Sequence, residues 1–278
     1  MRLITTFIFC LIGITAIVFA WNKYSGFREW ALTILQQKHF KTLEIRYSAE
    51  NIMKSHKREL LKDGEHKFLD PTIIFHPYLL MEVKYNRSNN QTGEGLILWS
   101  LVDGEMVINT NSWEKTHGFT DCIKSSADRD DFKVINALSL NNGSMDRESL
   151  AKFLNVEDQT LDRWLDLCRK KNLIVQNGNN FRLHFQNPKL HVNPETKINQ
   201  WLVTKELKQA IKIPPKYRVS QIESIAKAAF GVDFAIRKMT EVFLPVHSIK
   251  IQNPDGSKMT SYWNALNGKK LSQSYYIE

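Results

Sequence analysis

The predicted fold is decided by residues 131–185, which read DFKVINALSLNNGSMDRESLAKFLNVEDQTLDRWLDLCRKKNLIVQNGNNFRLHF. Apolar residues recur there at helical spacing in three runs, which predicts three short helices. The first helix ends at Asn141-Asn142-Gly143, Ser144 precedes the second, and the third begins after Val156. The apolar residues of the runs are Phe132, Ile135, Ala137 and Leu138, then Leu150, Ala151, Phe153 and Leu154, then Leu161, Trp164, Leu165 and Cys168.

Two candidate strands follow the third predicted helix. Leu173–Val175 and Phe181–Phe185 flank the segment Gln176–Asn180, in which Asn177-Gly178 supplies the positive φ angles of a hairpin turn. Three helices followed by such a hairpin resemble the winged-helix superfamily across about fifty residues. The resemblance is one of pattern without an invariant motif, so it implies an architecture and no chemical activity.

The third predicted helix carries acidic residues at its N-terminal end. In DNA-binding winged helices this end enters the major groove. Here it contains Glu157, Asp158, Gln159 and Asp162, with Asp166 one turn further on. Because carboxylates that face phosphates weaken DNA binding, the sequence favours a protein-interaction or structural role for this unit.

The last third of the chain repeats the same order of predicted elements. Helices are predicted over 195–212, 220–230 and 234–243, and strand-like runs follow at 247–252 and 259–263. The apolar set of the first of these helices is Ile198, Trp201, Leu202, Leu207 and Ile211. This order predicts a second, diverged winged-helix unit, although no residue-level repeat aligns it with the first.

Most of the net positive charge lies in this last third. The chain has a net charge of +9, and residues 188–278 carry 14 basic and 7 acidic groups, which is +7 of that total. A localised basic excess favours an acidic partner such as nucleic acid. The candidate nucleic-acid-binding residues are Arg237, Lys238, Lys250 and Lys258. The alternative is an ordinary solvated lysine face.

An apolar run occupies the N-terminus. Leu3–Trp21 contains nineteen residues without a charge, and as a helix it would span about 28 Å, close to the thickness of a bilayer core. This predicts a retained transmembrane signal anchor, and a cleaved signal peptide ending at Val18-Phe19-Ala20 is the alternative. More Lys and Arg residues follow the run than precede it, which favours a single-pass membrane protein whose C-terminal body is cytoplasmic.

Between the anchor and the helical stretch, the pattern predicts an α+β domain. Residues 26–62 have apolar residues at helical spacing. The pattern then becomes β-like, with candidate strands at 73–75 and 78–85 and a hairpin over 96–109. We expect a small antiparallel sheet that packs against the preceding helix.

One group of residues in this domain has the pattern of a catalytic site. Asp70 followed by Glu82-Val83-Lys84 resembles the D…(D/E)xK arrangement of restriction-endonuclease-like nucleases. Glu82 and Lys84 point to the same face of a strand, so that Asp70 and Glu82 would hold Mg²⁺ while Lys84 orients the attacking water. The alternative is a solvated strand face with alternating charges. The Asp-Pro order and the hairpin that follows both depart from the family's pattern.

The three cysteines, Cys10, Cys122 and Cys168, form no CxxC motif and show no Cys-His spacing of a metal site. Buried, small and apolar roles are therefore expected for them. No disulfide framework, metal site or cofactor is predicted.

These features predict an α+β fold with an N-terminal transmembrane helix, a small helix-plus-antiparallel-sheet domain and two winged-helix units. The predicted boundaries are 1–24 for the anchor, 25–118 for the α+β domain, 119–187 for the first winged-helix unit and 188–278 for the basic region that ends in a β-hairpin. The predicted function is a membrane-anchored, non-enzymatic adaptor or scaffold that binds a protein partner and no small-molecule substrate. The alternatives are a membrane-tethered nucleic-acid-binding protein resembling a transcription regulator, and the Mg²⁺-dependent nuclease.

Overall fold

The computed structural model describes residues 39–62, 65–86, 91–185, 187–206 and 210–271. Within these ranges the chain forms seven helices and thirteen strands. The helices are α1 (Ala49–Ser55), α2 (Lys57–Leu61), α3 (Phe119–Lys124), α4 (Arg129–Leu140), α5 (Arg147–Leu154), α6 (Asp158–Lys170) and α7 (Val219–Phe230). The strands are β1 (His39–Leu43), β2 (Lys67–Phe68), β3 (Thr72–Asn86), β4 (Thr92–Ser100), β5 (Met106–Asn109), β6 (Glu114–Lys115), β7 (Ser144–Asp146), β8 (Ile174–Asn177), β9 (Asn180–Leu183), β10 (Leu202–Glu206), β11 (Ile211–Lys212), β12 (Ala235–Gln252) and β13 (Lys258–Asn264).

The chain divides into two compact units. Of the described residues, 39–41, 204–206 and 210 belong to the smaller one, and the others belong to the larger one. The clusters, networks and grooves described below belong to the larger unit.

Ten strands form one large curled sheet in which β3 and β12 are the central pair. The strand order is β10-β1-β12-β3-β4-β5-β6, with β11 added to β3 and with β2 and β13 added to β12. β3 and β12 pair antiparallel, from Lys84 opposite Ala235 to Phe75 opposite Pro245. β12 then continues past the end of β3 and pairs with β13.

The two faces of this sheet bury different clusters, because side chains alternate along a strand. On one face, odd-numbered residues of β3 join a core that the helices complete. Its buried members include Leu79, Met81, Ile97, Trp99, Phe119, Phe132 and Leu138. The opposite face buries a smaller cluster that includes Leu43, Tyr78, Leu80, Leu98, Val242, Leu244 and Leu271.

The stretch over residues 129–183 forms α4, β7, α5, α6, β8 and β9 in that order. The three predicted helices and the predicted hairpin are confirmed as elements, and the short strand β7 is an addition that the sequence pattern did not predict. The strands β7, β9 and β8 form their own three-stranded sheet. Membership of this stretch in the winged-helix superfamily stays a prediction.

The two ends of this helical stretch meet. The backbone N–H of His117 donates to the carbonyl of Lys189 at 3.3 Å, and the N–H of Lys189 donates to the carbonyl of His117 at 2.9 Å. The helical stretch is therefore an insertion whose two connections lie side by side.

The fold-class prediction is wrong, because one large sheet takes strands from both sides of the helical stretch. β3 precedes this stretch in the chain, and its main partner β12 follows it. The protein is a mixed α/β protein built around a ten-stranded sheet. A small sheet domain followed by winged-helix units does not describe it.

The second predicted winged-helix unit is also wrong. The segment 195–212 contains strands β10 and β11 where a helix was expected, and 234–243 belongs almost entirely to β12. Of the three predicted helices, only the middle one is confirmed, as α7, and the predicted hairpin is confirmed by the antiparallel pairing of β12 with β13. Residues 234–243 have a helical pattern, but their hydrogen bonds and side-chain contacts with β3 favour a strand. The tendency of a segment to form a strand depends on packing against its cross-strand neighbours.

The predicted transmembrane segment Leu3–Trp21 lies outside the described residues, as does the first part of the helix expected over 26–62. Of that helix, the described part contains strand β1 and then α1 and α2. Across the described ranges, the structure has no helix with the length and apolar character needed to cross a bilayer. The transmembrane helix, the signal anchor and the single-pass membrane localisation are therefore corrected, because the structure gives them no support.

The buried carboxylate of Glu105 joins the large sheet to helix α3. This helix begins after Gly118, which has no side chain that could cap its N-terminus. The Glu105 carboxylate instead accepts hydrogen bonds from the backbone N–H groups of Gly118 and Thr120, both at 3.0 Å, and from the Thr116 hydroxyl at 2.7 Å. A distant side chain thus satisfies helix N–H groups that would otherwise lack an acceptor.

We expect Glu105→Ala to lower the free energy of unfolding by about 3 kcal/mol or more, because several buried donors lose their acceptor together. Urea denaturation at pH 7 measures this loss. The control is Glu94→Ala, which removes an exposed carboxylate paired with Arg237 and should cost less than about 1 kcal/mol. Similar losses in the two variants would contradict the role given to Glu105.

Candidate functional site

The three residues of the nuclease hypothesis are not brought together. Glu82 and Lys84 are exposed on the same side of β3, as the alternation predicts. Asp70 precedes the other end of that strand, twelve positions from Glu82, which corresponds to about 40 Å of extended chain. The Glu82 carboxylate accepts a hydrogen bond from Lys238 at 3.0 Å. No group of three or more potential metal ligands of the His, Cys, Asp and Glu types occurs in the described ranges.

The four candidate nucleic-acid-binding residues lie in two separate pairs. Arg237 forms an ion pair with Glu94 at 2.8 Å, and Lys238 forms one with Glu82 at 3.0 Å. Lys250 and Lys258 lie at the other end of β12 and on β13. Twelve positions of strand separate Lys238 from Lys250, again about 40 Å. These residues therefore do not form one continuous basic patch.

The N-terminal end of helix α6 is acidic on the surface, as its sequence indicates. Asp158 and Asp162 are mostly exposed and both contact Arg147 of helix α5. The guanidinium donates to the two carboxylate oxygens of Asp162 at 2.9 and 3.0 Å, and this hydrogen bonding holds the pKa of Asp162 below its usual value. The fork geometry orients both groups, so this helix end presents a fixed arrangement of charges.

An apolar groove opens on the sheet face opposite the helices, and we call it the Trp201 groove. It encloses about 320 Å³ and is lined by Leu43, Leu80, Leu96, Leu98, Ile198, Gln200, Trp201, Leu202 and Val242. Leu80, Leu98 and Val242 form its floor and are buried, whereas Leu96 and Leu202 are about 40% exposed. The side chain of Trp201 forms one wall and is 76% exposed.

The backbone that carries Trp201 is firmly held. Its carbonyl accepts a hydrogen bond from the N–H of Glu44 at 3.1 Å. The preceding residue, Gln200, donates from its side chain to the side-chain oxygen of Asn111 at 2.8 Å. Four residues before Gln200, the hydroxyl oxygen of Thr196 accepts a hydrogen bond from the backbone N–H of Leu98 at 2.9 Å. The exposed indole therefore projects from a backbone fixed to the sheet.

Four of the charged residues beside the groove form two ion pairs. Glu82 lies directly opposite Leu96 on β4 and directly opposite Lys238 on β12. The Glu82–Lys238 and Glu94–Arg237 ion pairs thus follow the apolar residues along the same face of the sheet. Lys84 lies exposed on the same side of β3 as Glu82, so the rim is polar and carries charges of both signs.

A buried polar network lies further along the same sheet face. The Lys115 ammonium donates to the Tyr78 hydroxyl at 2.9 Å and to the Asp103 carboxylate at 2.8 Å. Burial raises the pKa of Tyr78. Burial, with a smaller effect from Lys115, lowers the pKa of the nearby His76 to about 4. His76 and Tyr78 are each 1% exposed, whereas the side chain of Asp103 is 25% exposed, so this network meets solvent only at its edge.

Sequence reasoning missed the groove because it placed Trp201 on the buried side of a helix over 195–212. In the structure Trp201 lies between an extended segment and β10. The available signal was the run Leu202-Val203-Thr204, whose β-branched residues favour a strand.

Comparison of the chain with protein-family models, with curated proteins and with solved structures gives no match. The function is therefore inferred from the geometry of the molecule alone.

Stability should depend on pH through His76. Its pKa is about 4 in the folded protein and about 6.5 when unfolded, so the unfolded chain binds more protons between these values. The stabilisation is present above pH 6.5 and is lost as the pH falls towards 4, by up to about 3 kcal/mol.

Urea denaturation of the unmodified chain and of His76→Asn at pH 7, 6, 5 and 4 measures this effect. We expect a shallower decline in the variant, because it lacks the titrating group. Parallel declines in the two proteins would show that His76 does not contribute.

Proposed function

We propose that this protein is a non-enzymatic adaptor that binds an extended apolar segment of a partner protein in the Trp201 groove. The observation that carries the proposal is the combination of a 76% exposed indole with a firmly held backbone. Exposing a large aromatic side chain to water has a free-energy cost that binding of a partner would remove. Contiguous exposed apolar surface of this kind marks interaction sites.

The groove favours an apolar peptide segment over other occupants. Eight of the nine side chains that line it are apolar, and Gln200 is already engaged with Asn111. Arg237 and Lys238 beside the groove are already paired with carboxylates, which weakens their attraction for a phosphate backbone. Its volume of about 320 Å³ suits a few large side chains, and Trp residues often contribute most of the energy at the centre of such interfaces.

A peptide-display selection on the full chain tests this proposal. Enriched peptides should carry aromatic or aliphatic side chains, and their binding should be measured by isothermal titration calorimetry. We expect Trp201→Ala to weaken binding by about 30-fold or more, which corresponds to about 2 kcal/mol, the loss that defines a central aromatic contact.

The matched control is Phe153→Ala, which truncates a different exposed aromatic residue, on helix α5. It should leave the affinity for the selected peptides within about twofold, as expected for a residue that the peptide does not contact. Selected peptides that bind Trp201→Ala as tightly as the unmodified chain would overturn the proposal.

A further inference from the structure

A further cavity lies between the large sheet, the inserted helices and α7, and we call it the Asp233 pocket. It encloses about 270 Å³. Its lining includes Tyr85 near the end of β3, Asn136 of α4, Leu190 of the connection that leaves the inserted helices, Phe230 at the end of α7, and Asp233. Tyr85 belongs to the core on the helix-covered face of the sheet. The Asp233 pocket and the Trp201 groove therefore lie on different faces.

The interior of the Asp233 pocket is apolar and well packed. Leu190 is 4% exposed and Tyr85 is 6% exposed. The ring of Phe230 packs against that of Phe234, with ring centroids 5.0 Å apart. The hydroxyl of Tyr85 donates to the carboxylate of Glu195 at 2.7 Å, which orients the tyrosine ring. The pocket thus has a preformed apolar surface, as small-molecule sites usually do.

Polar side chains without partners surround this interior. Asn136 is half-buried on α4, and Asn86, His191 and Asp233 are exposed at the mouth of the pocket. Within the described ranges, none of these four side chains forms a hydrogen bond or an ion pair with another residue. A few polar groups that converge on an apolar pocket can orient a bound ligand. The four side chains are available for this role.

The electrostatics of the Asp233 pocket favour a positive charge. Among the described residues that line it, Asp233 alone has a formal charge when His191 is neutral. Asp233 lies three residues beyond the end of α7, where carbonyl groups without partners in the helix already carry partial negative charge. Lys227, the basic residue in the last turn of α7, is paired with Glu223 at 2.6 Å. A bound cation would offset the negative charge that accumulates at this helix end.

We propose that the Asp233 pocket binds a small organic cation, namely a primary amine attached to an apolar body. The ammonium group donates hydrogen bonds to the Asp233 carboxylate and to the amide oxygen of Asn136. The apolar body packs against Phe230 and Leu190. Since drug-sized ligands occupy about 300–1,000 Å³, the volume of about 270 Å³ suits a smaller body such as a single aromatic ring. The proposal does not depend on the adaptor function, because the pocket and the groove are separate.

Tyramine is a suitable probe, because it joins a primary amine to one phenol ring. Isothermal titration calorimetry with the full chain at pH 7 compares it with two analogues. 4-Ethylphenol has the same ring without the amine, and 3-(4-hydroxyphenyl)propionate has a carboxylate in place of the amine. We expect saturable binding of tyramine that is about tenfold tighter than that of 4-ethylphenol, which is the gain from one charge-assisted hydrogen bond. The propionate should bind more weakly than either, because Asp233 repels it.

Asp233→Asn tests the role of the carboxylate, because it keeps the size of the side chain and removes its charge. It should weaken tyramine binding by about tenfold and leave the affinity for 4-ethylphenol within about twofold, since only the ammonium group contacts Asp233. The matched control is Glu241→Gln, which removes one exposed carboxylate from β12, eight residues from Asp233. It should leave the tyramine affinity within about twofold.

Each part of the proposal can fail separately. Absence of saturable tyramine binding would overturn the site. Equal affinities for tyramine and 4-ethylphenol would overturn the preference for a cation, and so would tyramine binding that is unchanged in Asp233→Asn. Equal weakening of tyramine binding in Glu241→Gln and Asp233→Asn would also overturn the proposal, because the overall charge of the chain would then account for the effect.

Discussion

The antiparallel ladder between β3 and β12 is the interaction on which the other elements depend. It joins residues that are far apart in the chain, as the contact between Glu82 and Lys238 across 156 positions illustrates. Each strand also carries an internal proline, which lacks an N–H for the ladder. The carbonyl of Pro77 accepts from Leu101, and that of Pro245 accepts from Ala265, each at 3.1 Å. The prolines therefore mark positions where additional segments attach to the central pair.

The uneven covering of the sheet explains why a groove exists. The helices and their core cover one face from Leu79 to Tyr85. The opposite face is covered near Tyr78 and becomes exposed at Glu82 and beyond. The Trp201 groove lies at the boundary between the covered and the exposed part of this face. Its floor is buried, and its rim is exposed to solvent. At such a boundary a site can be strongly apolar while its exposed apolar area stays small. A large exposed apolar area would favour aggregation.

Local features could be predicted from the sequence, and partner-dependent ones could not. Gly178, which has a φ of 60°, allows the tight turn between β8 and β9. The apolar spacing of α4 and α6 determines their buried sides, whereas in α5 only Leu150 is buried and Phe153 is exposed. The segment 234–243 instead has apolar residues that satisfy a helical period, and only its pairing with β3 makes it a strand. The candidate site depended on this second kind of information, because the exposure of Trp201 follows from where the surrounding strands lie.

The meeting of His117 and Lys189 has a consequence for how this architecture can vary. A segment whose two ends lie side by side can lengthen, shorten or change its internal fold without moving the strands to which it is attached. Doubling such a segment costs only about 0.6 kcal/mol in loop closure. The constraint comes from packing, because Trp99 of the sheet lies in the same core as Phe119 and Phe132 of the inserted helices. Chains that share this sheet could therefore carry quite different insertions, provided that each one supplies an apolar surface for Trp99.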